Sequence, residues 1–198
     1  QFIGNASHEI QTPLAICQNR LEMLMEDETL SEQQMGEIAK TCQTLEYVSK
    51  LNKSLLLLSK IDNSQFASVE KVCLNEILYR YLDDYQEVYD YKGITLDVHE
   101  KNTFNITMNG TLAVVLITNL LKNAFVHNIY KGKIQIEITS SNIRFGNTGK
   151  DEHLDEKHIF ERFYMAEKAH TSGKGTGLGL SICKQILNMH GQSIEVMD

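Results

Sequence analysis

A chain of 198 residues, 42% of them apolar and 23% charged, is long and apolar enough to bury a core and has the charge content of an ordinary soluble protein. Its formal net charge of -7 argues against nucleic acid or an anionic membrane as the main partner. No apolar run approaches the ~18 residues of a membrane span, no signal peptide is visible, and the cysteines (Cys17, Cys42, Cys73, Cys183) lack paired spacing, as expected of reduced thiols in a cytosolic compartment.

The first element is a helix over about Phe2 to Met25, with Ile3, Ile10, Leu14, Cys17, Leu21 and Leu24 forming a stripe of nearly heptad spacing. The sole proline, Pro13, falls inside it. Pro13 cannot donate to the carbonyl of Glu9, and its ring crowds that carbonyl, so a bend is expected one turn from His8. At ~100° per residue, His8 and Thr12 lie opposite the apolar stripe. Ala15 beside them leaves room for an approaching group. A solvated bundle histidine is the plain alternative. The neighbouring acid, the proline and the small residue favour a presented nucleophile.

Ser31 offers an N-cap for a second helix, whose broad apolar face includes Met35, Ile38, Cys42, Leu45, Val48, Leu55, Leu56 and Leu58. A lone hairpin cannot bury two such faces, but a pair of hairpins can, as a four-helix bundle. The polar stretch Asp62-Asn63-Ser64-Gln65 ends this half.

Alternation follows. A strand near Val69–Cys73 precedes a Tyr-rich helix from Asn75 to about Tyr91, expected to be packing surface, with a face toward the hairpin as the alternative. Strands at Ile94–Val98 and Phe104–Met108, a helix from about Thr111 to His127, and strands at Lys133–Ile138 and Asn142–Phe145 come next. A polar segment then leads to a helix from Leu178 to His190, stopped by Gly191. This pattern predicts an α+β sandwich with helices on one face of a mixed sheet. The chain opens without Met inside a helical pattern. It closes on Ile194-Glu195-Val196, which reads as a strand wanting a partner.

Gly173-Lys174-Gly175-Thr176-Gly177-Leu178-Gly179 places glycine at every second position before a helix. Such a loop brings backbone N–H groups to an anion at a helix N-terminus. It matches neither the P-loop nor the dinucleotide fingerprint, and alone it could be a flexible connector. Asn119 and Asn123 share one face of a largely apolar helix. Their amide oxygens suit Mg²⁺ that shares phosphate oxygens, although exposed asparagines are otherwise mere polar surface. Phe160-Glu161-Arg162-Phe163-Tyr164, an aromatic knot in the polar segment, favours a lid over a ligand. His99, His153, His158, His170 and His190 have no ligand-like spacing and are expected at the surface or in the lid.

In order and spacing these segments resemble the sensor histidine kinases of two-component signalling over nearly the whole chain. Ser7–Leu14 resembles the phosphoacceptor box, Asn119–Asn128 the N box, Asn147-Thr148-Gly149 the first glycine box, Phe160–Tyr164 the F box and Gly173–Gly179 the second glycine box. The resemblance implies a dimerisation and phosphotransfer hairpin over 1–62, a linker over 63–70 and an ATP-binding domain of the gyrase/chaperone/kinase type over 71–198, with a lid near 148–175. The fold expected is thus a hairpin forming a dimeric four-helix bundle, followed by that α+β sandwich.

The implied chemistry is transfer of the γ-phosphoryl of Mg-ATP to His8, then to an aspartate of a response regulator. Glu9 takes the ring proton, and Thr12 orients the water that removes phosphate from the regulator. The implied nucleotide-binding residues are Asn119, Asn123, His127, Asn147, Gly149, Phe160, Lys174, Gly175, Thr176, Gly177, Leu178 and Gly179, with Asn123 and Asn119 on Mg²⁺. Implied partners are a second copy through residues 1–62 and a receiver domain. No nucleic acid is expected, and a membrane is expected only through segments absent from this chain, which would make it the cytoplasmic portion of a membrane-bound sensor.

Departures from the family pattern are Asn147 where Asp accepts from the adenine amino group, Asp151 for the box's second glycine, Val126 for a phosphate-reaching lysine, and Gln11 for an arginine. His127, Lys122 or Lys174 are candidates to replace that lysine. The family's last glycine-containing strand is missing. A dimeric signalling scaffold, or a phosphatase-biased protein, with a decayed ATP site is the alternative these departures raise. A conformational ATPase would leave the His8 box without a purpose.

Overall fold

The computed structural model describes residues 2–149, 155–165 and 175–197, with side chains from Glu9 onward. The chain divides into two compact units, Gln1–Gln65 with Met165–Leu178, and Phe66–Tyr164 with Gly179–Asp198. Among the described residues no helix is long and apolar enough to cross a membrane.

The first unit is a helical hairpin of α1 (Phe2–Met25) packed on α2 (Glu32–Asp62). Pro13 stands inside an unbroken α1. The connecting turn is fixed by Asp27, whose Oδ1 accepts from the N–H of Thr29 at 2.9 Å and from its hydroxyl at 2.7 Å. These bonds hold the Asp27 carboxyl below its ordinary pKa. Ser31 then starts α2 through a reciprocal capping box with Gln34, satisfying N–H groups that have no partner within the helix. Ile16, Met23 and Leu24 remain 51%, 64% and 49% exposed on the single chain, so α1 carries apolar surface the hairpin does not cover.

In the second unit, β1 (Glu70–Cys73) pairs antiparallel with β3 (Asn105–Met108). The other strands form a mixed sheet: β2 (Thr95–Glu100) lies parallel to β4 (Lys133–Ile138), which pairs antiparallel with β5 (Ile143–Asn147). The strands therefore make two ladders, ordered β1-β3 and β2-β4-β5. Strict alternation in β4 buries Ile134, Ile136 and Ile138 completely while Lys133 and Gln135 face outward.

Three helices complete the unit: α3 (Leu74–Val88), α4 (Gly110–Val126) and α5 (Gly179–Met189). The central one is α4, which packs against both α3 and α5. It buries Leu112, Ala113, Leu116, Ile117, Leu121, Ala124 and Phe125, each large side chain contributing about 1.5–3 kcal/mol relative to exposure. The Cys183 thiol of α5 lies 3.9 Å from the carbonyl of Leu116, and burial pushes its pKa up to about 12.

Several expectations are revised. Asn75 does not start α3. Its amide instead bonds the N–H of Phe104 (2.8 Å) and the carbonyl of Asn102 (3.2 Å), closing the β2–β3 connection onto α3. The Tyr-rich helix stops at Val88 and a 3₁₀ turn, Asp90–Lys92, carries the chain into Gly93, whose φ of 61° reverses it. The fifth strand reaches Asn147, because Gly146 pairs with Gln135 as an ordinary strand residue. Residues 192–197, including Ile194-Glu195-Val196, adopt no strand, since an extended segment without a ladder partner has nothing to satisfy its backbone.

Candidate functional site

The phosphoacceptor candidates lie on α1. The side chain of His8 lies outside the described residues; Glu9 and Thr12, three residues apart, are both exposed. Thr12 shares an open, shallow surface with Gln11, Ala15, Ile16 and Asn19.

The nucleotide candidates gather around α4. Asn109 caps it, its side-chain oxygen accepting from the N–H of Leu112 at 3.1 Å. Asn119 donates its amide N–H to the carbonyl of Val115 (2.9 Å) within the helix, which turns its oxygen toward the start of α5. There Gly179 comes so close that an added Cβ would lie 3.2 Å from Asn119 Oδ1. Gly177, two residues earlier, has a φ of 67°, a conformation that favours glycine. The α5 N-terminus is therefore set against an amide oxygen of α4.

Asn123 is half-buried and its carboxamide has no hydrogen bond to a described residue. His127, exposed, is the C-cap of α4, its N–H donating to the carbonyl of Asn123 at 3.1 Å. Lys122 is exposed and Val126 half-buried.

Asn147 ends β5 opposite Ile134 and is exposed. Thr148 anchors that strand end. Its N–H donates to the carbonyl of Lys133 at 2.9 Å, and its hydroxyl accepts from the Lys133 N–H at 2.9 Å. Gly149 is exposed, with nothing near a Cβ placed on it. Asn128, buried, donates to the same Lys133 carbonyl at 3.2 Å, tying the turn after α4 to the start of β4.

Phe160 of the aromatic knot stacks beneath the Lys184 ammonium of α5 at 5.5 Å. Its neighbour Phe163 holds a φ of 67°. Asp155 and His158 pair at 2.7 Å, which lowers the carboxyl and raises the imidazole from their ordinary pKa values. Gly175, Thr176 and Gly177 are half-buried and Leu178 is buried. Lys174, Asp151, His153 and His170 lie outside the described residues.

Two groups escaped sequence reasoning. Lys92 is buried and donates to the carbonyls of Phe125, Val126 and Asn128. His190, expected at the surface or in the lid, is half-buried with both ring nitrogens engaged, by the carbonyl of Ile186 and the N–H of Asn109. The one available signal for Lys92 was a lysine directly before the turn glycine Gly93.

A magnesium ion fits this donor chemistry. Asn123 and Asn119 would offer it amide oxygens, hard neutral ligands, that of Asn119 facing the start of α5. Among the described residues no His, Cys, Asp and Glu cluster offers a rival metal site.

Residues 1–64 match the family model described as the His Kinase A (phospho-acceptor) domain. Residues 108–198 match that of the histidine kinase-, DNA gyrase B-, and HSP90-like ATPase. The heme sensor protein HssS of Staphylococcus epidermidis is 32% identical over 198 residues, covering 98% of this chain and 43% of that protein. Drug sensory protein A of Synechocystis is 32% identical over 215 residues, covering 100% of this chain and 32% of that protein. The chain thus spans less than half the length of these relatives. The crystal structure of full-length ShkA in complex with AMPPNP shares the fold, with a TM-score of 0.68 at 20% identity over 96% of this chain and 41% of that one.

Proposed function

The chain belongs to the sensor histidine kinases of two-component signalling, and from that premise we propose that it transfers the γ-phosphoryl group of ATP to His8 and then to an aspartate of a response regulator. The observation that carries the nucleotide half is Gly179 at the α5 N-terminus set against the Asn119 amide oxygen. Backbone N–H groups there can receive phosphate oxygens, and Asn147 at the β5 end offers an amide oxygen to the adenine amino group.

A neutral imidazole is a competent nucleophile near neutral pH. As an N–P bond forms on His8, the bond from the γ-phosphorus to the β–γ bridging oxygen breaks. ADP leaves with the electron pair, and the other ring nitrogen gives its proton to Glu9. Mg²⁺, when bound, neutralises charge on the phosphate oxygens. Asn123 and Asn119 would hold it. In the second transfer an aspartate oxygen displaces the ring nitrogen at phosphorus. Thr12, exposed one turn from His8, would orient water against the phosphorylated regulator, giving a phosphatase activity. The uncovered apolar residues of α1 support pairing of two hairpins through residues 1–62.

The test is incubation of the purified chain with Mg²⁺ and γ-labelled ATP, scoring acid-labile, base-stable phosphate. Label that disappears in His8→Ala supports the kinase; label that persists in that variant overturns it. The exposed Asn147 and the apolar Val126 favour a second reading, a dimeric scaffold with a decayed ATP site. Absence of both label and Mg-ATP binding would select that reading.

A further inference from the structure

Lys92 directs its side chain at the end of α4 and the turn that follows it. Its ammonium, on a residue only 7% exposed, donates to the carbonyls of Phe125 (2.7 Å), Val126 (2.9 Å) and Asn128 (3.1 Å). The first two are among the carbonyls that a helix C-terminus leaves without intrahelical partners, the third lies in the turn just beyond, and the helix dipole there favours a cation. Three N–H donors meet three acceptors, the condition under which a buried ammonium is tolerated. Below it lies the ring of Tyr89, 5.5 Å from Nζ, which itself stacks on Phe125 at 5.6 Å. The Lys92 carbonyl adds a further tie, accepting from the N–H of Lys131 at 2.7 Å. One residue therefore grips the corner 125–131 by its side chain and its backbone.

The gripped carbonyls flank His127, and those of Phe125 and Val126 follow Asn123 by less than a turn. Packing holds the buried face of α4 from Leu112 to Phe125, whereas Asn123 and Val126 are only half-buried and His127 is exposed, so the clamp adds a hold where packing is thinnest. Resting on the nucleotide-binding reading above, we infer that Lys92 is a positioning residue, fixing the end of α4 so that Asn123 and His127 stand ready for Mg-ATP.

The test uses the full chain as wild type, Lys92→Met, Lys92→Gln, Lys92→Arg and a control, Asn75→Ala, which removes an equally buried polar clamp away from α4. Stability is read by urea unfolding, local order by amide exchange over 125–131 without nucleotide, and affinity by titration with Mg-ATP. Leaving the three carbonyls unmatched should weaken Mg-ATP binding about tenfold or more under conditions where Lys92→Met is fully folded. Exchange at the His127 amide should quicken in parallel, and Lys92→Arg should recover part of both. Lys92→Gln carries the same expectation if Lys92→Met does not fold. Asn75→Ala should lose stability and keep its affinity. Unchanged affinity in folded Lys92→Met or Lys92→Gln overturns the positioning role, as does a loss that merely tracks the unfolded fraction. Wild type that binds no Mg-ATP overturns the underlying nucleotide reading, whatever the exchange shows.

Discussion

The backbone N–H of Asn109 donates to Nε2 of His190 at 3.1 Å, joining the first residue of the α4 cap to the end of α5. The other ring nitrogen lies 2.7 Å from the carbonyl of Ile186, which can only accept, so Nδ1 carries the proton and Nε2 is free to accept. Asn109 also donates its amide to the carbonyl of Ser68 at 2.8 Å, beside the segment that follows α2. One short turn thus holds the N-terminal end of α4, the end of α5 and Ser68, just before β1.

Replacing His190 by Ala should cost about 1–2 kcal/mol, because it strands a partly buried N–H as well as removing two hydrogen bonds. Asn109→Ala should cost about 1 kcal/mol through loss of the cap. Since both act on one turn, the double variant should lose less than the sum, which a urea-unfolding cycle measures. Strict additivity would show that the turn is not shared.

Gly132 is required by what faces it. A Cβ there would lie 2.1 Å from Asn128 Oδ1 and 3.0 Å from the carbonyl of Ile129. Gly132→Ala should destabilise the chain by about 1–3 kcal/mol, as overpacking does, and should dislodge Asn128 from Lys133. Thermal unfolding and the exchange rate of the Thr148 amide check this.

The Asp155–His158 pair predicts a pH window for the aromatic segment. The hydrogen bond and charge of Asp155 raise His158 above its usual value near 6.5, so its contribution is full below the unfolded value and fades as pH rises through the folded one. Asp155 is lowered chiefly by its hydrogen bond to His158, so its share is present above its unfolded value and fades as pH falls through the folded one. Order over 155–164 should therefore peak between the two folded values. An NMR titration following the His158 ring and the Glu161 amide should show it; a flat profile across the imidazole step would count against the pair.

Thiol reactivity should separate the cysteines. Cys17 is exposed, whereas Cys183 is buried with its pKa pushed up to about 12. A thiol-specific disulfide reagent near pH 8 should reach Cys183 only after unfolding, and should modify Cys17, on the α1 stripe proposed to pair two hairpins, faster in the monomer than in the dimer. Early modification of Cys183 would show that the α4–α5 contact opens readily.

The sequence by itself determined the order of elements and the faces they bury, because both are written in local periodicity. The alternation Ile134, Ile136, Ile138 needs no partner to be recognised. Ser31 and Gln34 signal a helix start within a few residues, and Gly191 a stop, with its φ of 67°. The resemblance to a kinase family was carried by short segments of the same local kind.

Tertiary structure alone decided how those segments meet. Lys92 reaches Phe125 across 33 positions, and His190 reaches Asn109 across 81. Asn75 looked like a helix start and became a clamp on the β2–β3 connection, and Ile194–Val196 looked like a strand and has no ladder. In each case the side chain or backbone had more than one way to satisfy its hydrogen bonds locally. The choice was made by whichever distant group the packed core brought within 3 Å or so, a distance that no local pattern encodes.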